Sequence, residues 1–163
     1  MTDVVRPSWD EVWMETAQII AKRSRCSRRQ IGAVIVTADQ RVVSLSYNGP
    51  PSAYAPANEM PDSDCTMWCS RSIKPVKNLS PDYSDCPAGH SELNAIGRAN
   101  FTETQGSTIF VTGSVCIHCA KAIAGAKLIR VVMVVSDTDS HRNPAIVQNF
   151  LENSGVEVIT IRP

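Results

Sequence analysis

No stretch of this 163-residue chain approaches the roughly 18 consecutive apolar residues of a membrane-spanning helix. The opening MTDVVRPSWDE lacks the apolar core of a signal peptide, so the expectation is a cytoplasmic protein. Net charge is also missing. Sixteen Lys and Arg balance sixteen Asp and Glu, so no overall field draws in a long nucleic acid, whereas a small charged ligand needs only local charge. There is no internal repeat and no linker that would split the chain. With 43% apolar residues, the length suits one domain with a full core, spanning 1–163. What the chain does have is six cysteines. In a cytoplasmic setting these read as metal ligands or buried thiols rather than disulfides.

Ser8 and Glu11 have the S-x-x-E spacing of a capping box, and Trp9, Val12, Trp13, Ala17, Ile20 and Ala21 recur at helical intervals. A helix is expected over about residues 8 to 24, with both tryptophans in the core or one of them at a subunit contact. Residues 22–29, KRSRCSRR, carry five cations; they read either as a solvated helix end or as a phosphate-facing or subunit-facing patch. IGAVIVTA and RVVSLSYN follow as two strands turned by ADQ. Their near-continuous apolar character predicts a sheet covered on both faces. SYNGPP ends the second strand in an Asn-Gly turn.

After the loop at 50–89, HSELNAIGRAN is a helix, TQGSTIFVTG a strand, CIHCAKAIAGAKL a helix and IRVVMVVS a buried central strand. Asn143 to Asn153 forms a helix with Pro144 in its first turn, and GVEVITIRP closes as a strand. Strands joined by single helices should pair in parallel with right-handed crossovers, which makes the class α/β.

The chemistry is concentrated in HSE at 90–92 and CIHC at 116–119. Cys116 and Cys119 stand C-x-x-C at the expected start of a helix, where unpaired N–H groups favour thiolates. His90, opening another helix, is the natural third ligand. Three protein ligands leave a position for water, the mark of a catalytic zinc rather than a structural one. Glu92 stands close enough to reach that water as the proton shuttle. His118, at an x position, should point to solvent. Cys65, Cys69 and Cys86 lie in the long loop, which needs something to hold it. With Cys26 they make four thiols, enough for a closed tetrahedral site; the alternative is that they are separate thiols. A rival set of Cys65, Cys69, Cys86 and His90 leaves Cys116 and Cys119 without purpose.

These residues, together with CSRRQIGAVIV, SYNGPP, HSELNAI and CIHCAKAI in order, resemble the zinc-dependent cytidine and deoxycytidylate deaminases, most closely the deoxycytidylate branch with its phage and competence-operon relatives. The resemblance implies a three-layer α/β/α cytidine-deaminase-like fold, a five-stranded mixed sheet with helices on both faces. It implies a sugar contact for Asn48, room for the base at Ser91, and a second, structural zinc held by Cys26, Cys65, Cys69 and Cys86 that ties the insertion at about 50–89. It further implies a homo-oligomer, with a hexamer favoured, and a deoxynucleoside triphosphate effector near SYNGPP. If the chain is phage-encoded, its setting is the host cytosol. Val115 departs from the family, which has proline before the first cysteine; this bears on loop rigidity. The family's usual aromatic residue is also missing from SDTDSHRN, where only His141 and Arg142 offer phosphate contacts.

The implied reaction is hydrolysis of deoxycytidylate to deoxyuridylate and ammonia, with Glu92 moving the protons. Its rivals are a deaminase of a modified or unphosphorylated cytosine, or of a base in nucleic acid, and a non-catalytic zinc-stabilised binding module. The carboxylate of Glu92 speaks against the last, since a structural site has no use for it.

Overall fold

The computed structural model describes residues 5–51, 83–84 and 86–162. Its core is one mixed sheet in the order β2-β1-β3-β4-β5. The strands are β1 Gly32–Val36, β2 Val42–Tyr47, β3 Thr108–Val111, β4 Arg130–Val134 and β5 Glu157–Ile161. β1 runs antiparallel to both β2 and β3, and β3, β4 and β5 are parallel, as single-helix connections require. The helices are α1 Trp9–Ala21, α2 Ser91–Arg98, α3 Phe101–Thr104, α4 Ile117–Gly125 and α5 Pro144–Asn153, with a 3-10 turn at Asp137–Arg142 between β4 and α5.

Alternation along β1 sorts the core into two layers. Val34 and Val36 join Met14 and Ala17 of α1, Phe110 and Val132 on one face. Ala33 and Ile35 face the other way, onto Ala95 of α2, Ile123 of α4 and Leu151 of α5. All five residues of β1 are buried, which is why its sequence is apolar at every position. The same expectation fails for β2. It is an edge strand with Val42 and Leu45 exposed, because only one strand, β1, lies beside it.

The capping box of α1 is formed: the Glu11 carboxylate accepts from Ser8 N at 2.7 Å, and Ser8 Oγ accepts from Glu11 N at 3.3 Å. Trp13 is half-buried and donates to Gln40 Oε1 at 2.7 Å. Trp9 corrects the reading of two core tryptophans; it stacks on Trp13 with centroids 5.7 Å apart and stays half-exposed. Arg130 of β4 reaches both Asp10 of α1, at 2.6 and 2.8 Å, and Glu157 of β5 at 3.2 Å.

The expected third strand is shorter than TQGSTIFVTG because Gly106 takes a left-handed turn, φ +77. FTET ahead of it forms the short α3, capped by Asn100. Among the described residues no helix is long and apolar enough to cross a membrane.

Candidate active site

The N-termini of α2 and α4 meet at the site. α2 begins beside a bridge in which Gly49 N donates to Gly89 O at 3.1 Å and Gly89 N to Gly49 O at 2.9 Å. Asn94 of α2 fastens it, its Nδ2 donating to Tyr47 O at 3.0 Å. A Cβ on Gly89 would lie 2.6 Å from Asn94 Oδ1, so the close approach requires glycine. His90 is the N-cap of α2 and Cys116 the N-cap of α4, both in extended backbone and neither spending its side chain on the cap. Their imidazole and thiol are thereby left for other work. Val115 is fully buried, so packing anchors the loop where the family has proline.

The ligand atoms of His90, Cys116 and Cys119 all lie within 4.8 Å of one another. His90 Nδ1 is 3.3 Å from Cys119 Sγ and 3.5 Å from Cys116 Sγ. The Cys119 thiol and backbone N–H both point at the Cys116 sulfur. Against the opposing effect of burial, they and the His90 ring hold Cys116 down to about 3. The same thiol bond, with burial, pushes Cys119 far up, and the Cys116 thiolate raises His90. Without metal the two sulfurs therefore share one negative charge, which the His90 ring faces. Two sulfurs and one imidazole, on helix ends whose dipoles favour anions, are a donor set suited to zinc. His118 is exposed and outside this cluster.

Glu92, in the first turn of α2, is only 3% exposed. Ser91, fully buried, donates to Glu92 Oε2 at 2.9 Å and thereby orients the carboxylate. A small recess of about 50 Å³ is lined by Ile31, Asn48, His90, Ser91, Glu92 and Arg142, among others. It shares Asn48 and His90 with a cavity of about 280 Å³. His90 and Arg142 also border a third, of about 270 Å³. The three form one cleft over the cluster.

Asn48, expected at a sugar, sits in both the recess and the larger cavity. Its Oδ1 accepts from Ile31 N at 2.8 Å and its Nδ2 donates to Arg29 O at 2.9 Å. The amide keeps one further lone pair and one further hydrogen for a ligand. Cys26 and Cys86 both line the larger cavity; Cys65 and Cys69 lie outside the described residues. No aromatic stands in SDTDSHRN, but Tyr83, from the far end of the long loop, lines the two larger cavities beside His141.

Reading the sequence missed Asp139. Its carboxylate is fully buried and binds the Arg29 guanidinium through both oxygens. Burial alone pushes it up, but Arg29, Ser136 N–H and Arg142 together hold it below the usual carboxylate range. The one available signal was an acidic residue at the carboxyl end of a parallel strand.

The sequence model of the cytidine and deoxycytidylate deaminase zinc-binding region matches residues 7–135. The chain belongs to this deaminase family. Within it, the deoxycytidylate deaminase of Mycobacterium phage D29 is 36% identical over 127 residues, 78% of this chain and 94% of that protein. The Homo sapiens deoxycytidylate deaminase is 30% identical over 148 residues, 89% of this chain and 74% of that one. The dCMP deaminase of cyanophage S-TIM5, solved in complex with dCMP and dUMP, matches with a TM-score of 0.66 at 25% identity, covering 96% of this chain and 99% of that one. The cytidine-deaminase fold expected from HSE and CIHC is the fold observed.

Proposed function

We propose that this deaminase hydrolyses deoxycytidylate to deoxyuridylate and ammonia, with His90, Cys116 and Cys119 holding zinc and Glu92 carrying protons. The observation that carries the reading is a nearly sealed carboxylate beside three clustered metal donors at the floor of a cleft. Zinc held by that donor set would supply a Lewis acid that lowers the pKa of a water it binds. The other steps belong to the chain. Glu92 accepts one proton of the attacking water and delivers it to the ring nitrogen next to the amino-bearing carbon. The water oxygen bonds to that carbon, Glu92 accepts that oxygen's remaining proton and passes it to the amine as the carbon–nitrogen bond breaks, and the amine leaves as ammonia. Ser91 keeps the carboxylate aimed, and Asn48 offers its remaining amide valences to the sugar. The names of the phage and human relatives support deoxycytidylate as the substrate.

We further propose that Cys26, Cys65, Cys69 and Cys86 hold a structural zinc, supported by Cys26 and Cys86 facing one cavity and by the stabilisation that a metal clip gives a long loop. Exposed Trp9 and Ile19 on α1, and Leu45 and Leu93 on the mutually packed β2 and α2, support a homo-oligomer, a hexamer by resemblance. A deoxynucleoside triphosphate effector belongs to the same proposal.

The test is metal content per chain together with ammonia release from deoxycytidylate, cytidylate and deoxycytidine. The reading predicts two zincs and preferred turnover of deoxycytidylate. Preferred turnover of deoxycytidine would move the substrate to a nucleoside, and one zinc per chain would remove the structural site.

A further inference from the structure

The cleft has two walls built from distant parts of the chain, and one residue outside the cleft joins them. One wall is the segment entering β1 together with the end of β2. There Arg29 O accepts from Asn48 Nδ2 and Ile31 N donates to Asn48 Oδ1, so the placement of Asn48 follows that of Arg29. The other wall is the 3-10 turn after β4, which carries Arg142. Its Nη1 donates to Ser114 O at 2.8 Å, two residues before Cys116, and its side chain borders the recess with Ser91 and Glu92.

Asp139 meets both walls and lines none of the three cavities. Its two oxygens accept from Arg29 Nη1 and Nη2, the second at 3.1 Å. Oδ2 also accepts from Ser136 N at 3.2 Å, which closes the turn on itself, and Arg142 Nε stands 4.0 Å from Oδ1. Among the described residues this Nε has no hydrogen-bond partner, and the Asp139 carboxylate is the anion that stands within 4.0 Å of it. A buried ion pair is a weak source of stability, because desolvation offsets most of the attraction; what it fixes well is geometry. Without the carboxylate, two partly exposed guanidinium groups lose the anion that stands between them.

We propose that Asp139 is a positioning residue for the nucleotide: from behind the cleft it ties the Arg29–Asn48 wall to the Arg142 wall, and so sets how substrate is held rather than how its carbon–nitrogen bond is cleaved. The inference rests on the nucleotide reading above and adds to it the residue that aligns the binding walls. It also accounts for an acidic residue at the back of a cleft whose proposed ligand is an anion.

The experiment compares Asp139→Asn, Arg29→Gln, Arg29→Lys and the Asp139→Asn/Arg29→Gln double variant, each zinc-loaded, for KM, kcat, zinc content and melting temperature. With deoxycytidylate, Asp139→Asn is expected to raise KM about 10- to 100-fold while kcat changes far less and zinc is retained. Arg29→Lys, which keeps the charge, should recover part of the KM lost in Arg29→Gln. If Asp139 acts through Arg29, the double variant is no worse than the poorer single one. An unchanged KM in Asp139→Asn, or singles whose effects multiply in the double variant, overturns the role. Lost stability and zinc with KM intact likewise marks Asp139 as structural only and overturns it. Should Asp139→Asn fail to fold, the Arg29→Gln and Arg29→Lys pair decides: equal KM values in the two refute the proposal. Wild-type protein inactive on deoxycytidylate would sink the functional reading and this one with it. Wild-type turnover with unmoved variants would sink this one alone.

Discussion

Replacing Gly32 by alanine should loosen the whole cleft from a position outside it. Gly32 lies on β1 directly beneath α1. A Cβ there falls 2.0 Å from Ala17 O and 2.9 Å from both Ala21 N and Ile20 Cγ2. Ordinary contact begins at 3.4 Å, so the helix must retreat by about 1.4 Å. Two of the three obstacles are backbone atoms, which no rotamer change can move aside. Overpacking of this kind costs up to about 3 kcal/mol. Alanine recovers at most about 1 kcal/mol by restricting the unfolded chain. The net loss of about 2 kcal/mol corresponds to a fall in Tm of about 4–8 °C for a chain of this size.

The displacement also reaches the site. Just beyond the C-terminal end of α1, Ser24 Oγ donates to Asn48 O at 2.8 Å, and Ser24 O accepts from Gln30 Nε2 at 2.7 Å. A retreating helix therefore pulls on the Asn48 wall, and KM for substrate should rise several-fold. Calorimetry of the zinc-loaded protein and a KM measurement check both. A Gly32→Ala protein as stable as wild type would show that α1 does not sit against β1 as described.

The opposite outcome is expected at Gly97, inside α2, where nothing lies within 4 Å of an added Cβ; Gly97→Ala should stabilise the protein by about 0.5–1 kcal/mol, read as a higher melting temperature. Zinc affinity should rise with pH. Ligation requires a neutral His90 and two thiolates, whereas in the metal-free protein His90 and Cys119 are both raised, so binding releases protons. Chelator competition across about pH 6 to 8 reads this, and a flat profile would contradict the cluster. Asp10→Asn removes the Arg130 bond that lowers the Asp10 carboxyl; because Asp10 is 40% exposed, the loss should stay within about 1 kcal/mol. That contribution is present above the ordinary carboxylate range and fades as pH falls through the lowered value, so the two proteins should converge in acid stability.

HSE and CIHC were legible because each is local. Side chains two or three residues apart at a helix start are placed by the helix itself, so spacing sets His90 against Glu92 and Cys116 against Cys119, while ligand chemistry and the family resemblance joined the two pairs. The capping box of α1 and the buried β1 and β4 were readable for the same reason. What escaped depends on distance in sequence. Arg29 and Asp139 are 110 positions apart and neither belongs to a motif. Asn94 acts on backbone carbonyls, which no sequence pattern marks. The edge position of β2 and the exposure of Trp9 follow from which neighbours are absent, and an apolar stripe does not say what covers it.

The central claim is that Glu92 moves protons beside a zinc held by other residues. Glu92→Gln keeps the shape of the side chain and an oxygen to accept from Ser91, and leaves His90, Cys116 and Cys119 untouched. Zinc per chain and deoxycytidylate turnover, measured on the same preparation, should show full metal and a loss of activity of about 10²- to 10⁴-fold. Full metal with near-wild-type turnover would contradict the account.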